Sequence, residues 1–342
     1  MFEKYTSKYF RHNEAPCLIN QIAAFKSSRP FEGKRILDAT PIFFNTLLKY
    51  EAIIAGGGHL EVFCNNKAFD YRVIGILQQH GIPVHTNTEN IGEFDLVFDC
   101  GAELKKVQSR FLDVVELTAS GVTKYRSSFQ NVVSVDNSRL KEYETRYGTA
   151  NGLIRALEKL NLFFNDGKET RNAIVFGYGK VGQGICHELE RNNHQVFVVE
   201  KPGKSVKEFP CYYTDQKEII FNAIMDSNLV ISAVGTYNAV GEMFYSCREL
   251  FPDNVRFINM GYEQEFVGWK NAENNGYPLN FILEEPTLTR FIDPVMALSN
   301  ASGVRLLKEG FCAFRNSGFA ENIALPSAED ETFIEGLMNW KA

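Results

Sequence analysis

Short apolar runs alternate with helix-length stretches along most of the chain. Arg35-Ile36-Leu37 reads as a strand, residues 42 to 55 as a helix, and Gly56-Gly57-Gly58 as its stop. Leu60 to Cys64 is the next strand, and Phe69 to His80 a helix closed by Gly81. Ile82 to His85 and Asp95 to Asp99 complete four strands. Strands alternating with helices of this length imply βαβ units and a parallel sheet. Residues 138 to 163 read as one helical stretch interrupted only by Gly148 and Gly152, and Asn165-Asp166-Gly167-Lys168 as a turn. A second α/β series starts at Ala173. Beyond about residue 290 no strand-helix rhythm continues, and a helix over 294 to 309 is expected to pack back on the first domain.

The expected fold class is therefore α/β with two parallel-sheet domains. The first spans residues 1–150, with C-terminal helices in 290–342 returning to it. The second, residues 151–289, is a Rossmann dinucleotide-binding domain. Its signature begins with the buried-strand run Asn172 to Phe176, followed at once by Gly177-Tyr178-Gly179-Lys180-Val181-Gly182 and a helix through Ile185 and Leu189. The first glycine permits a tight turn, the second lets backbone approach a pyrophosphate, and the third allows close helix-strand packing. The helix N-terminus, with Lys180 and Val181 in its first turn, faces the negative charge. Glu200 ends the next strand run, Gln195 to Val199. A carboxylate there accepts hydrogen bonds from ribose hydroxyls and repels a 2′-phosphate, so NAD is expected over NADP, a preference that Lys201 and Lys204 soften. Gly235, Asn259 and Gly261 close two later strands and are candidates for the same crevice, although a glycine after a strand is commonly just a turn.

Composition narrows the function classes. With 342 residues, 44% hydrophobic and 23% charged, the chain fits two soluble globular domains. A net charge of −6 gives no reason to expect nucleic acid or an anionic membrane surface. No apolar run reaches the roughly 20 residues of a membrane span, and the opening residues carry no secretion-signal core. Seven widely spaced cysteines include no Cys-x-x-Cys pair and no zinc spacing, so reduced cytoplasmic thiols and no metal are expected.

The residues also carry a family resemblance. Ala15 to Leu18 and Arg29 to Ile36, then Gly81 to Val84, Ser138 to Gly148, the run Gly177 to Gly184, Glu200 and Asn259-Met260-Gly261 together resemble S-adenosyl-L-homocysteine hydrolase, in a shorter and divergent form. The resemblance implies tightly bound NAD, transient oxidation of a substrate hydroxyl, and acid-base groups around it. It implies that Lys141 is the catalytic lysine with Glu144 as its acidic partner, and that Thr118 and Ser120 contact the nicotinamide ribose. Several positions depart. Cys100 stands at the catalytic aspartate, Leu117 at a glutamate, Thr149 at a cysteine and Tyr262 at a histidine. Asp38-Ala39-Thr40-Pro41 holds no histidine, and Asp293-Pro294 replaces an adenine-contacting His-Pro pair. The family's C-terminal tail motif is missing, which argues for a homodimer rather than the usual tetramer.

These readings point to an NAD-dependent oxidoreductase, or a hydrolase or lyase using bound NAD, acting on a small polar metabolite other than S-adenosylhomocysteine. Lys141 and Glu144 are expected near the nicotinamide, with Cys100 as the next acid-base candidate. A Glu-Lys pair on a solvated helix face is the bland alternative for the first two. Two rival functions remain: a catalytically inactive NAD-binding regulator, and a 2-hydroxyacid-type dehydrogenase.

Overall fold

The computed structural model describes residues 1–65, 67–89, 91–162 and 171–338, so the turn expected at Asn165–Lys168 lies outside the described residues. The strands among them are, in chain order, β1 (Arg35–Asp38), β2 (His59–Phe63), β3 (Val84–His85), β4 (Leu96–Asp99), β5 (Asp113–Glu116), β6 (Asn131–Ser134), β7 (Arg171–Phe176), β8 (His194–Glu200), β9 (Cys211–Tyr213), β10 (Leu229–Ser232), β11 (Arg256–Asn259) and β12 (Ile323–Ala324). The chain divides into two compact units, residues 1–144 with 288–342, and residues 145–287.

Unit 1 carries a seven-stranded sheet in the order β12-β6-β5-β4-β1-β2-β3, with every pair parallel. Alternate residues feed opposite faces. Ile36, Val62, Leu96, Phe98, Val115 and Val133 pack into one core layer, and Leu37, Val97, Val114 and Val132 into the other. Burial on both faces explains why these strands read as continuous apolar runs. Unit 2 has a five-stranded parallel sheet, β11-β10-β7-β8-β9, again with a core layer on each face. Both sheets run outward from their first strand to the second and third on one side and to the later strands on the other. That is the doubly wound order, which has a switch point beside the first strand.

Several boundaries shift from the sequence reading. The helix expected from residue 42 begins at Thr46, because Ile42 instead forms a parallel bridge to Phe69. The stretch from 138 resolves into a helix Arg139–Tyr143, a π-helical turn Glu144–Thr149 and a helix Ala150–Lys159. The last long helix spans Thr289–Glu309 with Pro294 inside it. The expectation of no strand-helix rhythm beyond 290 is corrected. Two-residue β12 pairs with β6, and the helix Ala328–Leu337 follows. A strand that short carries no alternation to read. Among the described residues no helix is long and apolar enough to cross a membrane, and no group of three or more His, Cys, Asp or Glu is placed to hold a metal.

Candidate functional site

The glycine loop joins β7 to the helix Lys180–Arg191. Gly177 has φ +88°, where an L-residue is strained, and a Cβ there would crowd the Ala233 carbonyl. A Cβ on Gly182 would fall onto the Gly177 carbonyl oxygen. Gly179 differs: a Cβ there would meet no protein atom within 4 Å. Its glycine therefore answers to something outside the protein's own packing. Gly179 is also the helix N-cap and offers no side-chain acceptor, so no capping side chain competes with an anion for the first-turn N–H groups at Lys180, Val181 and Gly182. This is the geometry that a dinucleotide pyrophosphate requires, and the loop fits that group.

Glu200 stands at the end of β8 beside this loop. Its carboxylate accepts from the backbone N–H of Tyr178 at 3.0 Å and of Lys201 at 2.8 Å, and it pairs with Lys204 Nζ at 3.3 Å. Burial opposes its charge, but these two amides and the Lys204 ammonium hold it below the ordinary carboxylate range. It is thus an anion at working pH, in the place where a ribose diol would be read.

The ends of β10 and β11 are organised by a residue that the sequence does not single out. Glu265 is fully buried and accepts from Ser232 Oγ and from the backbone N–H groups of Val234 (3.0 Å) and Gly235 (2.7 Å). Gly261 must lack a side chain because its Cβ would collide with the Glu265 carboxylate. Asn259 donates to the carbonyls of Glu263 and Gly276 and accepts from Gly261 N–H. Gly235, Asn259 and Gly261 therefore frame their loops. No local sequence signal marks Glu265, because the partners it joins lie about thirty residues upstream.

In unit 1 the carboxyl ends of β1, β4 and β5 gather charged side chains. Asp38 and Lys49 form a fully buried ion pair at 2.5 Å, with Thr40 Oγ1 also 2.5 Å from Asp38 and the Phe98 ring 4.2 Å from the ammonium. Burial draws Lys49 below the ordinary lysine range against the pull of Asp38. Asp99 and Glu116 are also fully buried. Burial, offset by the Tyr125 hydroxyl and backbone amides, raises Asp99 to about 6. Burial and then the charge of Asp99 raise Glu116 to about 8.

The expected catalytic residues lie at this same end of the sheet. Ser138 caps the helix that carries Lys141, accepting from Lys141 N–H at 3.0 Å. Lys141 Nζ meets Glu144 Oε2 at 2.5 Å, with side-chain exposures of 13% and 4%, so the solvated-face alternative does not describe this pair. Burial alone would weaken the lysine's hold on its proton, but Glu144 outweighs it and keeps Lys141 above the ordinary lysine range. Lys141 is therefore a persistent ammonium. Cys100 is 2% exposed and interacts electrostatically with both Lys141 and Lys49. Burial, then the negative charge of Glu116, pushes its thiol well above the ordinary range, which removes it as a ready thiolate near neutral pH. Thr118 caps the helix Ala119–Tyr125. Its hydroxyl donates to Glu116 and accepts from Gly101 and Gly121 N–H, while Ser120 Oγ lies 3.4 Å away.

Unit 2 is thus a Rossmann-type NAD-binding domain by sheet order, glycine loop and strand-end acid. Residues 173–259 match the TrkA-N domain model. The chain is similar to homocysteine-nucleoside hydrolases. It is 24% identical over 219 residues to S-inosyl-L-homocysteine hydrolase of Methanococcus maripaludis, covering 56% of this chain and 52% of that one. It is 27% identical over 215 residues to adenosylhomocysteinase of Saccharolobus solfataricus, covering 54% and 51%. It is 24% identical over 322 residues to adenosylhomocysteinase of Thermoplasma volcanium, covering 84% and 74%. The first two matches span about half the length of those relatives. Among solved structures, a dipicolinate synthase chain of Bacillus halodurans superposes with a TM-score of 0.52 at 11% identity, over 81% of this chain and 99% of that one, a likeness of fold.

Proposed function

We propose that the protein is an NAD-dependent enzyme of the adenosylhomocysteinase-like type. Its NAD sits on the glycine loop of unit 2, and its substrate is a small polar metabolite other than S-adenosylhomocysteine. Gly177, Gly179, Lys180, Val181 and Gly182 hold the pyrophosphate and Glu200 the adenosine ribose. When bound, NAD supplies hydride acceptance. The observation that carries the enzymatic part is the buried Lys141–Glu144 pair, since burying an ion pair is costly. In this reading the Lys141 ammonium donates a hydrogen bond to the substrate oxygen and orients it, and Glu144 holds the ammonium in place. The protein would work in the cytoplasm as a homodimer, which light scattering can check.

The test is a screen of hydroxylated metabolites for reduction of NAD, followed by Lys141→Ala on the first active compound. Activity should vanish while NAD affinity stays nearly intact, and a fully active variant would remove Lys141 from the mechanism. The inactive, regulatory reading is favoured by the unreactive thiol at Cys100. Tight NAD binding with no active compound in a broad screen would decide for it.

A further inference from the structure

Five consecutive backbone N–H groups after β4 are all taken by two buried carboxylates. Cys100 (2.8 Å), Glu103 (3.1 Å) and Leu104 (3.1 Å) donate to Asp99, while Gly101 (2.9 Å) and Ala102 (3.1 Å) donate to Glu116. Gly101 and Ala102 both have positive φ, +75° and +55°, so the amides curl inward. A run of inward amides is an anion-binding nest, and here the protein fills it with its own side chains. Glu116 Oε1 also accepts from Thr118 N–H at 2.8 Å and Thr118 Oγ1 at 2.7 Å, which anchors the carboxyl from its own strand end. Gly121 lies against it so closely that a Cβ would overlap the carboxylate.

Ala102 is not a residue that chooses positive φ, and the conformation has to be imposed. Glu116 imposes it from the neighbouring strand. The loop so fixed begins with Cys100, whose electrostatic neighbours are Glu116, Lys141, Asp99, Glu103 and Lys49. We propose that Glu116 is the positioning residue of the unit 1 site: by holding the amides of Gly101 and Ala102 it sets where Cys100 stands relative to Lys141. Once ionised, Glu116 also adds a negative charge beside the thiol and opposes loss of its proton. The proposal rests on the reading of this end of the sheet as the substrate site. Its test uses neither NAD nor substrate, so its failure leaves that reading standing.

The experiment is alkylation of the full-length protein with iodoacetamide across neutral to alkaline pH, quantified at Cys100 by peptide mass spectrometry. Cys17, buried elsewhere in unit 1, is the internal control for general loosening. In Glu116→Gln the pH midpoint for Cys100 should fall, giving about tenfold more alkylation at fixed pH for each unit of fall, while Cys17 stays as in the wild type. An unchanged Cys100 profile, or Cys17 rising in step with Cys100, overturns the proposal. A second pair covers the case in which Glu116→Gln does not fold. Thr118→Val removes a donor to Glu116 and an acceptor for Gly101 N–H, so Cys100 alkylation should rise several-fold over Cys17. Thr118→Ser should match the wild type. Equal rates at Cys100 in the two Thr118 variants also overturn it.

Discussion

The backbone N–H of Tyr178 donates to the Glu200 carboxylate across 3.0 Å, which ties the middle of the glycine loop to the end of the neighbouring strand. A cofactor seated on the loop would therefore meet an anion already held in place. Glu200→Ala should weaken NAD binding by about tenfold or more, the scale of one lost hydrogen bond to a charged group. It should weaken NADP less, because the Lys204 ammonium loses the carboxylate it now pairs with. Calorimetric titration with both nucleotides checks this, and unchanged NAD affinity would take Glu200 out of the site.

The two later glycines of the loop should respond to the same substitution in opposite ways. A Cβ at Gly182 strikes the Gly177 carbonyl, so Gly182→Ala should lower the thermal stability of unit 2, by about 1–3 kcal/mol for overpacking of this kind. A Cβ at Gly179 strikes nothing in the protein, and its φ of −82° suits alanine. Gly179→Ala should melt like the wild type and bind NAD at least tenfold more weakly, because its methyl occupies the approach to the phosphates. Wild-type NAD affinity in Gly179→Ala would show that no ligand backbone passes there.

Hydrolysis of S-adenosylhomocysteine should be negligible. Cys100 is a protonated, buried thiol and Leu117 has no acid-base function, and each missing acid-base group costs ~10²–10⁴ in rate. A thiol-release assay measures this directly. Turnover on the order of 1 s⁻¹, ordinary for an enzyme, would contradict it.

The buried carboxyls of unit 1 should contribute less stability as the pH rises from acid to neutral. Asp293 lies buried in the helix Thr289–Glu309 and accepts from Cys17 and Leu18 N–H. Burial raises it to about 6 against the opposing pull of those amides. A carboxyl whose folded pKa lies above its unfolded value gives stability that is complete below the unfolded pKa. That stability drains away as the pH climbs through the folded pKa. For Asp293 the window runs from about 4 to about 6, and the loss is roughly 3 kcal/mol. Asp99 acts over the same range, and Glu116 extends the loss toward pH 8. Urea unfolding monitored at a unit 1 probe should show a smaller pH slope in Asp293→Asn. An unchanged slope would mean that Asp293 is ionised throughout.

The α/β class, the parallel sheets and the glycine loop are legible in the sequence because each has a local signature, whether an apolar run, a helix-length spacing or a fixed glycine interval. β5 and β6 carry only Val114-Val115 and Val132-Val133 between polar ends, too little to separate a strand from a buried turn. Lys141 and Glu144 stand out through resemblance, and three residues of spacing alone do not tell a buried pair from a solvated one. Glu116, Lys49 and Glu265 escape notice for a different reason. A buried charge looks like a surface charge in sequence, and its partners lie on other strands or loops. Only the folded arrangement shows that Asp38 neutralises Lys49, or that Glu265 dictates Gly261.

Binding of NAD on the glycine loop of unit 2 is checked by calorimetric titration of the purified wild-type protein with NAD and with NADP, together with crystals soaked in NAD. Saturable NAD binding, tighter than NADP binding, is expected, with the pyrophosphate at the N–H groups of Lys180, Val181 and Gly182 and the adenosine ribose on Glu200. No heat of binding with NAD, and a glycine loop that stays empty in the soaked crystals, would contradict it.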